Sequence, residues 1–249
     1  MRFVLKIAYD GTAYAGWQRQ KNAVSVQQLL EEALLRALGQ EVKVTASGRT
    51  DAGVHALGQV CHFDAKGVTV PPEKMPDCVN CFLPSDIRAL QGWLGEEGFD
   101  SNRSAKRKTY CYRLYEGEKD NPLLSRYAVR VEGLPHLDVL QAAAKLMEGE
   151  HDFKAFCASG SSVKTTVRTV YEVKVEKEMI FGAPVTTVSV TGNGFLYNMV
   201  RTMVGEIIEI ASGRKTAESL SLAYETGDRS LLGKTMPAKG LTLVDVQYC

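Results

Sequence analysis

The residues of this 249-residue chain best suited to chemistry lie in one short run, Ser47-Gly48-Arg49-Thr50-Asp51-Ala52-Gly53-Val54-His55. Its glycines permit backbone geometry that other residues resist, and Arg49 stands two places before Asp51. A guanidinium within a few ångströms favours the ionised carboxylate and lowers its pKa. That suits a nucleophile or an electrostatic partner better than a general acid. The same spacing also fits a structural Arg–Asp pair that closes a loop. The four histidines show neither metal-ligand spacing nor triad order, so His55, His62 and His151 read as structural. Cys78 and Cys81 form a lone CxxC without a second pair and read as helix residues rather than a zinc site. Gly192-Asn193-Gly194 lacks the third glycine and the strand context of a dinucleotide fingerprint, and nothing matches a phosphate-binding loop. No nucleotide cofactor is inferred.

Other candidates are scattered. Arg201 sits in an otherwise apolar stretch, where a charge must find a partner or a cleft. Tyr110 and Tyr112 lie on an alternating strand and are expected to face opposite sides, one ring serving as a stacking platform for a base and the other filling the core. Arg103, Lys106, Arg107 and Lys108 cluster midway along the chain, as a solvated linker or as part of a functional surface.

The elements that must position these residues are partly legible. Arg2 to Tyr9 alternates as a half-buried strand. Ser25 caps a helix with Gln28 completing a capping box, an apolar stripe runs through Val26, Leu29, Leu30, Ala33, Leu34 and Ala37, and Gly39 stops it. Short strands follow at Val42 to Thr45 and Gln59 to Phe63, then a helix from Lys74 to Phe82 ahead of Leu83-Pro84. The pattern restarts with a strand at Thr109 to Tyr115. Asp138 caps a helix through Leu140, Ala144 and Met147 that Gly149 ends. Strands at Val167 to Glu176 and Val185 to Thr191, helices at Phe195 to Ser212 and Thr216 to Thr226, and a closing strand at Leu241 to Tyr248 complete the chain. This weak internal duplication suggests an α+β protein with two similarly built halves, 1–104 and 105–249. The halves are expected to form one extended, largely antiparallel mixed sheet, with helices on one side and a cleft between them.

Three motifs carry a family resemblance: Asp10-Gly11-Thr12-Ala13-Tyr14-Ala15-Gly16-Trp17-Gln18, Gly48 to Ala56, and Phe195-Leu196 through Asn198-Met199-Val200-Arg201 to Gly205. Together with Asn80, Leu83 to Ile87, Gly149 to Phe153, Pro237-Ala238 and Gly240-Leu241, they make the chain resemble the tRNA pseudouridine synthases of the TruA family along essentially its whole length. The resemblance implies an enzyme that isomerises uridine to pseudouridine in tRNA, at positions 38, 39 and 40 of the anticodon stem-loop, by base flipping and without cofactor or metal. It implies Asp51 as the catalytic aspartate, Tyr110 as the ring stacking on the target base, Arg49 and Arg201 as active-site arginines, Arg201 pairing with Asp51, and a homodimer. One departure is visible in Phe99-Asp100-Ser101-Asn102-Arg103, where the family's arginine is displaced by one position.

Composition bounds the alternatives. Thirty basic against 29 acidic side chains give a net charge of +1, so any nucleic-acid surface must be local. A hydrophobic fraction of 45% supports a sizeable core. No stretch approaches the roughly 18 apolar residues of a membrane span. Residues 1–9 run into a strand pattern rather than a signal peptide, and six cysteines without an export signal read as reduced thiols. A cytoplasmic protein is expected. Two rival readings are a non-catalytic RNA-binding protein of the same fold and a glycoside hydrolase, for which Asp51 has no convincing carboxylate partner.

Overall fold

A computed structural model describes residues 1–158 and 164–249. The class is the expected one, α+β with mixed, mostly antiparallel strands. The chain divides into two compact units, Met1–Lys106 with Leu243–Cys249, and Arg107–Thr242. The final residues are bound into the first unit. Lys106 N–H donates to Gln247 O at 2.8 Å, Tyr248 Oη donates to Ser101 O at 2.8 Å, and Lys6 pairs with Asp245 at 3.3 Å.

In the first unit, β1 (Arg2–Tyr9) runs antiparallel to both β3 (His55–Asp64) and β4 (Ile87–Leu94), and β2 (Thr45–Ala46) adds to β3. The strand order is β4-β1-β3-β10, where β10 is Leu241–Gln247. Because β1 is central, Val4 is as buried as Phe3, Leu5 and Ile7, so the strand is covered on both faces rather than one. Val44 was expected in a strand. Instead its N–H donates to Glu31 Oε1 at 3.1 Å and its carbonyl accepts from Gln27 at 3.1 Å, which satisfies the backbone without a ladder. Strand β3 starts four residues earlier than expected, and β4 was not anticipated.

Helix α1 (Val26–Leu38) supplies the layer against α2 (Met75–Asn80), burying Val26, Leu30, Ala33 and Leu34. Ser25 Oγ accepts from Gln28 N–H at 3.3 Å, and Gly39 ends the helix in the left-handed conformation. The capping box is not made, since the Gln28 amide donates to Glu32 at 2.9 Å instead of reaching back to Ser25. Helix α2 is shorter than expected. The Asn80 side chain exchanges two 2.8 Å hydrogen bonds with the Ala89 backbone and ties the helix end to β4.

In the second unit the order is β5-β9-β8-β7, from β5 (Arg107–Glu116), β7 (Gly149–Asp152), β8 (Val167–Ile180) and β9 (Ala183–Gly192). The short β6 (Val129–Val131) lies parallel to β5. Continuous pairing of Tyr110 with Val190 and Tyr112 with Val188 overturns the opposite-face expectation. Residues two apart in an unbulged strand share a face, and both tyrosines are buried.

Helix α3 (Leu137–Lys145) packs on β8, with His136 rather than Asp138 at its N-cap. Gly149 opens β7 rather than ending α3. Helix α4 (Met199–Ala211) begins four residues later than expected, because Asn198 takes a left-handed conformation (φ 64°) that no continuing helix adopts. Helix α5 (Ala217–Thr226) carries a complete capping box between Thr216 and Ser219. Among the described residues, no helix is long and apolar enough to cross a membrane.

The cap geometry of α1 separates two substitutions. Ser25→Ala should cost about 1 kcal/mol of unfolding free energy in denaturant titration, whereas Gln28→Ala should stay within about 0.5 kcal/mol.

Candidate active site

In the first unit the loop 47–55 joins β2 to β3, and its chain path is fixed from both ends. At the entry, Ser47 N–H donates to Val60 O at 2.7 Å and Ser47 Oγ to Gln59 Oε1 at 2.7 Å. The same Gln59 amide donates to Gly48 O at 2.9 Å. At the exit, Val54 N–H donates to Asp51 O at 3.1 Å, closing a tight turn around the carboxylate.

Between these anchors the loop lies on the segment that follows β1. Trp17 N–H donates to Thr50 O at 3.0 Å, and Thr50 Oγ1 lies 2.8 Å from Tyr9 Oη. Gly16, at φ +89°, touches the Thr50–Asp51 peptide so closely that a Cβ there would sit 2.6 Å from Thr50 O and 3.0 Å from the Asp51 carbonyl carbon. Only glycine combines that φ with that approach. The rings of Tyr9, Tyr14 and Trp17 are buried beneath. Burial pushes the Tyr9 hydroxyl up to about 12, so it stays protonated as a hydrogen-bonding group. Tyr14 Oη donates to Asp86, which ties the same segment to the start of β4.

Asp51 is half-buried at the top of this cradle, while Arg49 is exposed and forms no ion pair among the described residues. The loop is held by backbone bonds together with the side chains of Ser47, Gln59, Thr50 and Tyr9, and not by an ion pair of Arg49. His55 is buried, and its Nδ1 accepts from Gly11 N–H at 3.1 Å, with Asp10 Oδ1 3.2 Å from the same nitrogen. The ring thus pins the first motif to the second, in keeping with its structural reading. His62 and His151 are likewise held structurally, by Ser101 (2.9 Å) and by Glu148 O (2.9 Å). Burial lowers the pKa of His62.

In the second unit, Tyr110 keeps 8% exposure and meets Phe195 edge-on, centroids 5.2 Å apart. Arg201, on the first turn of α4, is half-buried. Its Nε donates to Met236 O at 2.7 Å and its Nη1 to Asn198 Oδ1 at 2.6 Å, so the guanidinium is aimed from two sides. The basic run divides. Arg103, Lys106 and Arg107 are exposed, with Arg107 over the Tyr171 ring at 4.8 Å, but Lys108 is buried. Its position on β5 sets it opposite Gly192, so it belongs to the sheet and not to a solvated linker. Burial, joined by Arg168, pulls its ammonium down to about 8. Arg103 projects from a turn in which Asp100 Oδ1 accepts from the Asn102 and Arg103 N–H groups at 2.9 Å each. Reading the sequence missed the supports Tyr9, Gln59 and Asp86. Gln59, a polar residue inside an apolar strand run, was the one visible signal.

Comparison with known proteins finds relatives that match nearly the whole chain. A family model described as tRNA pseudouridine synthase matches residues 6–91 and 143–249. The chain is 40% identical over 247 residues to the tRNA pseudouridine synthase A of Caldicellulosiruptor bescii, covering 98% of each chain. It is 41% identical over 251 residues to that of Syntrophotalea carbinolica, covering 98% of this chain and 95% of the relative. Against that of Shouchella clausii it is 40% identical over 248 residues, covering 99% and 93%.

Lys108 generates a pH prediction. The folded site releases its proton near 8, whereas the unfolded chain holds it to about 10.5, so stability from this site rises with pH across that window. Melting curves of wild type and Lys108→Met should converge as pH is raised from 8 to about 10.5; a gap that widens would refute the assignment.

Proposed function

The chain belongs to the tRNA pseudouridine synthase family, and from that premise we propose that it isomerises uridine to pseudouridine at positions 38, 39 and 40 of the tRNA anticodon stem-loop, with Asp51 as the catalytic carboxylate. The reaction breaks the bond from C1′ to N1, forms one from C1′ to C5, removes a proton from C5 and leaves one on N1. Atoms and electrons balance within a single nucleotide. What the reaction asks of a protein is an ionised carboxylate, proton transfer and a grip on the detached ring.

The observation that carries this reading is the fixed Asp51 peptide, pressed on Gly16 and closed by the Val54 N–H. A backbone held this way fixes the point from which the carboxylate acts before substrate arrives, which lowers the entropic cost of catalysis. Attack on C1′, attack on C6, and stabilisation of charge with proton transfer all require such a group. Arg49 and Arg201 act as the active-site cations, and Tyr110 stacks on the target base. Stacking of about 1–3 kcal/mol per base offsets part of the few kcal/mol that extrusion costs. The enzyme works in the cytoplasm as a homodimer, in which a second subunit adds the cations that a net charge of +1 does not supply.

The test is to incubate the purified protein with unmodified tRNA and map pseudouridine. Asp51→Asn should reduce conversion at least about a hundredfold. Equal conversion by the variant removes Asp51 from the mechanism. Binding of tRNA with every uridine unchanged by wild type removes the activity.

A further inference from the structure

Glu206 is a fully buried carboxyl on α4, one turn and a residue beyond Arg201. Its Oε2 accepts from Gly233 N–H at 2.5 Å. Its Oε1 meets no hydrogen-bond partner among the described residues. A buried carboxyl with one partner costs stability that an apolar side chain of similar size avoids. Burial accordingly raises its pKa, which favours the neutral acid. What a leucine cannot do at this place is accept the Gly233 N–H.

That N–H belongs to residues 229–236, a strap across α4. Beyond its opening 3-10 turn, Arg229–Leu231, it has no helical or strand ladder of its own. Side chains and close packing hold it. Lys215 Nζ donates to Leu231 O, and Thr235 Oγ1 lies 3.0 Å from both Thr202 Oγ1 and Arg229 Nη2. Gly205 lets the Lys234 carbonyl approach so closely that a Cβ would lie 2.0 Å from it. The strap ends at Met236, whose N–H donates to Arg201 O at 3.2 Å and whose carbonyl accepts from Arg201 Nε at 2.7 Å. An arginine side chain is long and loses much rotamer freedom when fixed. A carbonyl that aims it is only as well placed as the segment carrying it.

We infer that Glu206 is a positioning residue for the reaction: by holding the Gly233 N–H it seats the strap on α4, and through Met236 it orients the Arg201 guanidinium. The inference rests on the reading of Arg201 as an active-site cation. It predicts that the acceptor oxygen of Glu206 matters and its negative charge does not.

The experiment measures single-turnover pseudouridine formation and tRNA affinity for wild type, Glu206→Leu, Glu206→Gln, Arg201→Lys and the Glu206→Leu/Arg201→Lys double variant, with melting temperatures as a folding check. Glu206→Leu should slow the chemical step about tenfold or more while the tRNA Kd stays within about threefold. Glu206→Gln, which keeps an oxygen acceptor, should recover the rate to within about threefold of wild type. In the Arg201→Lys background the leucine substitution should add less than about threefold, because both changes act through one group. A wild-type rate for Glu206→Leu, or equal losses in both backgrounds, overturns the inference. A wild-type rate for Arg201→Lys instead overturns the reading of Arg201 on which it rests. Should the leucine variant not fold, Glu206→Ser replaces it, since its hydroxyl is too short to reach the Gly233 N–H, with the same outcomes deciding.

Discussion

The contact on which the rest of the site depends is between two stretches of backbone. The Gly16 α-carbon lies against the Thr50–Asp51 peptide, and the Trp17 N–H bonds to Thr50 O. A side chain can be re-aimed by rotamer changes, but a peptide plane seated on another peptide plane moves only if both segments move. The buried rings of Tyr9, Tyr14 and Trp17, and the bonds from Tyr9 to Thr50 and from Tyr14 to Asp86, serve that contact from beneath. The first sequence motif thus gains a physical meaning as the seat of the second. Its tyrosine and tryptophan are packing and hydrogen-bonding groups in this structure, and its two glycines, Gly11 against Val54 O and Gly16 against Thr50 O, mark points of close approach.

Charge is organised by the same economy. With a net charge of +1, the molecule has no general positive field, so individual cations must be placed. Arg201 is aimed by a carbonyl and an amide oxygen, Arg107 lies over a tyrosine ring, and Arg103 projects from a turn fixed by Asp100. Lys108 is the exception, a cation drawn inside a strand at the cost of much of its basicity. Placement of this kind confers specificity of position rather than long-range attraction.

Elements with local signals were legible in the sequence. Ser25 and Gly39 bound α1 because cap residues act on their own backbone, and Thr216 begins α5 for the same reason. The loop around Asp51 stood out because glycines flank an acid and a base. What escaped notice depends on distant partners. Strand β4 exists because β1 offers it an edge, and the three and four residues of β6 and β7 are too few to show a period. The late start of α4 follows from one left-handed asparagine inside a helix-like apolar run. Val44 leaves its strand because two side chains of α1 satisfy its backbone. The cradle was invisible for the same reason, since a close approach between residues 16 and 50 leaves no periodic trace.

The return of Leu243–Cys249 to the first unit has a consequence for biosynthesis. The ribosome delivers Met1–Lys106 early, yet the neighbour that β3 requires emerges only after all of Arg107–Thr242 has been made. Until then the growing chain presents β3 unpaired along the part of its flank that β2 does not cover, and nascent strands in that state are open to aggregation. The half of the molecule that is born first is therefore the half that is finished last, and it stays incomplete until the other has been synthesised.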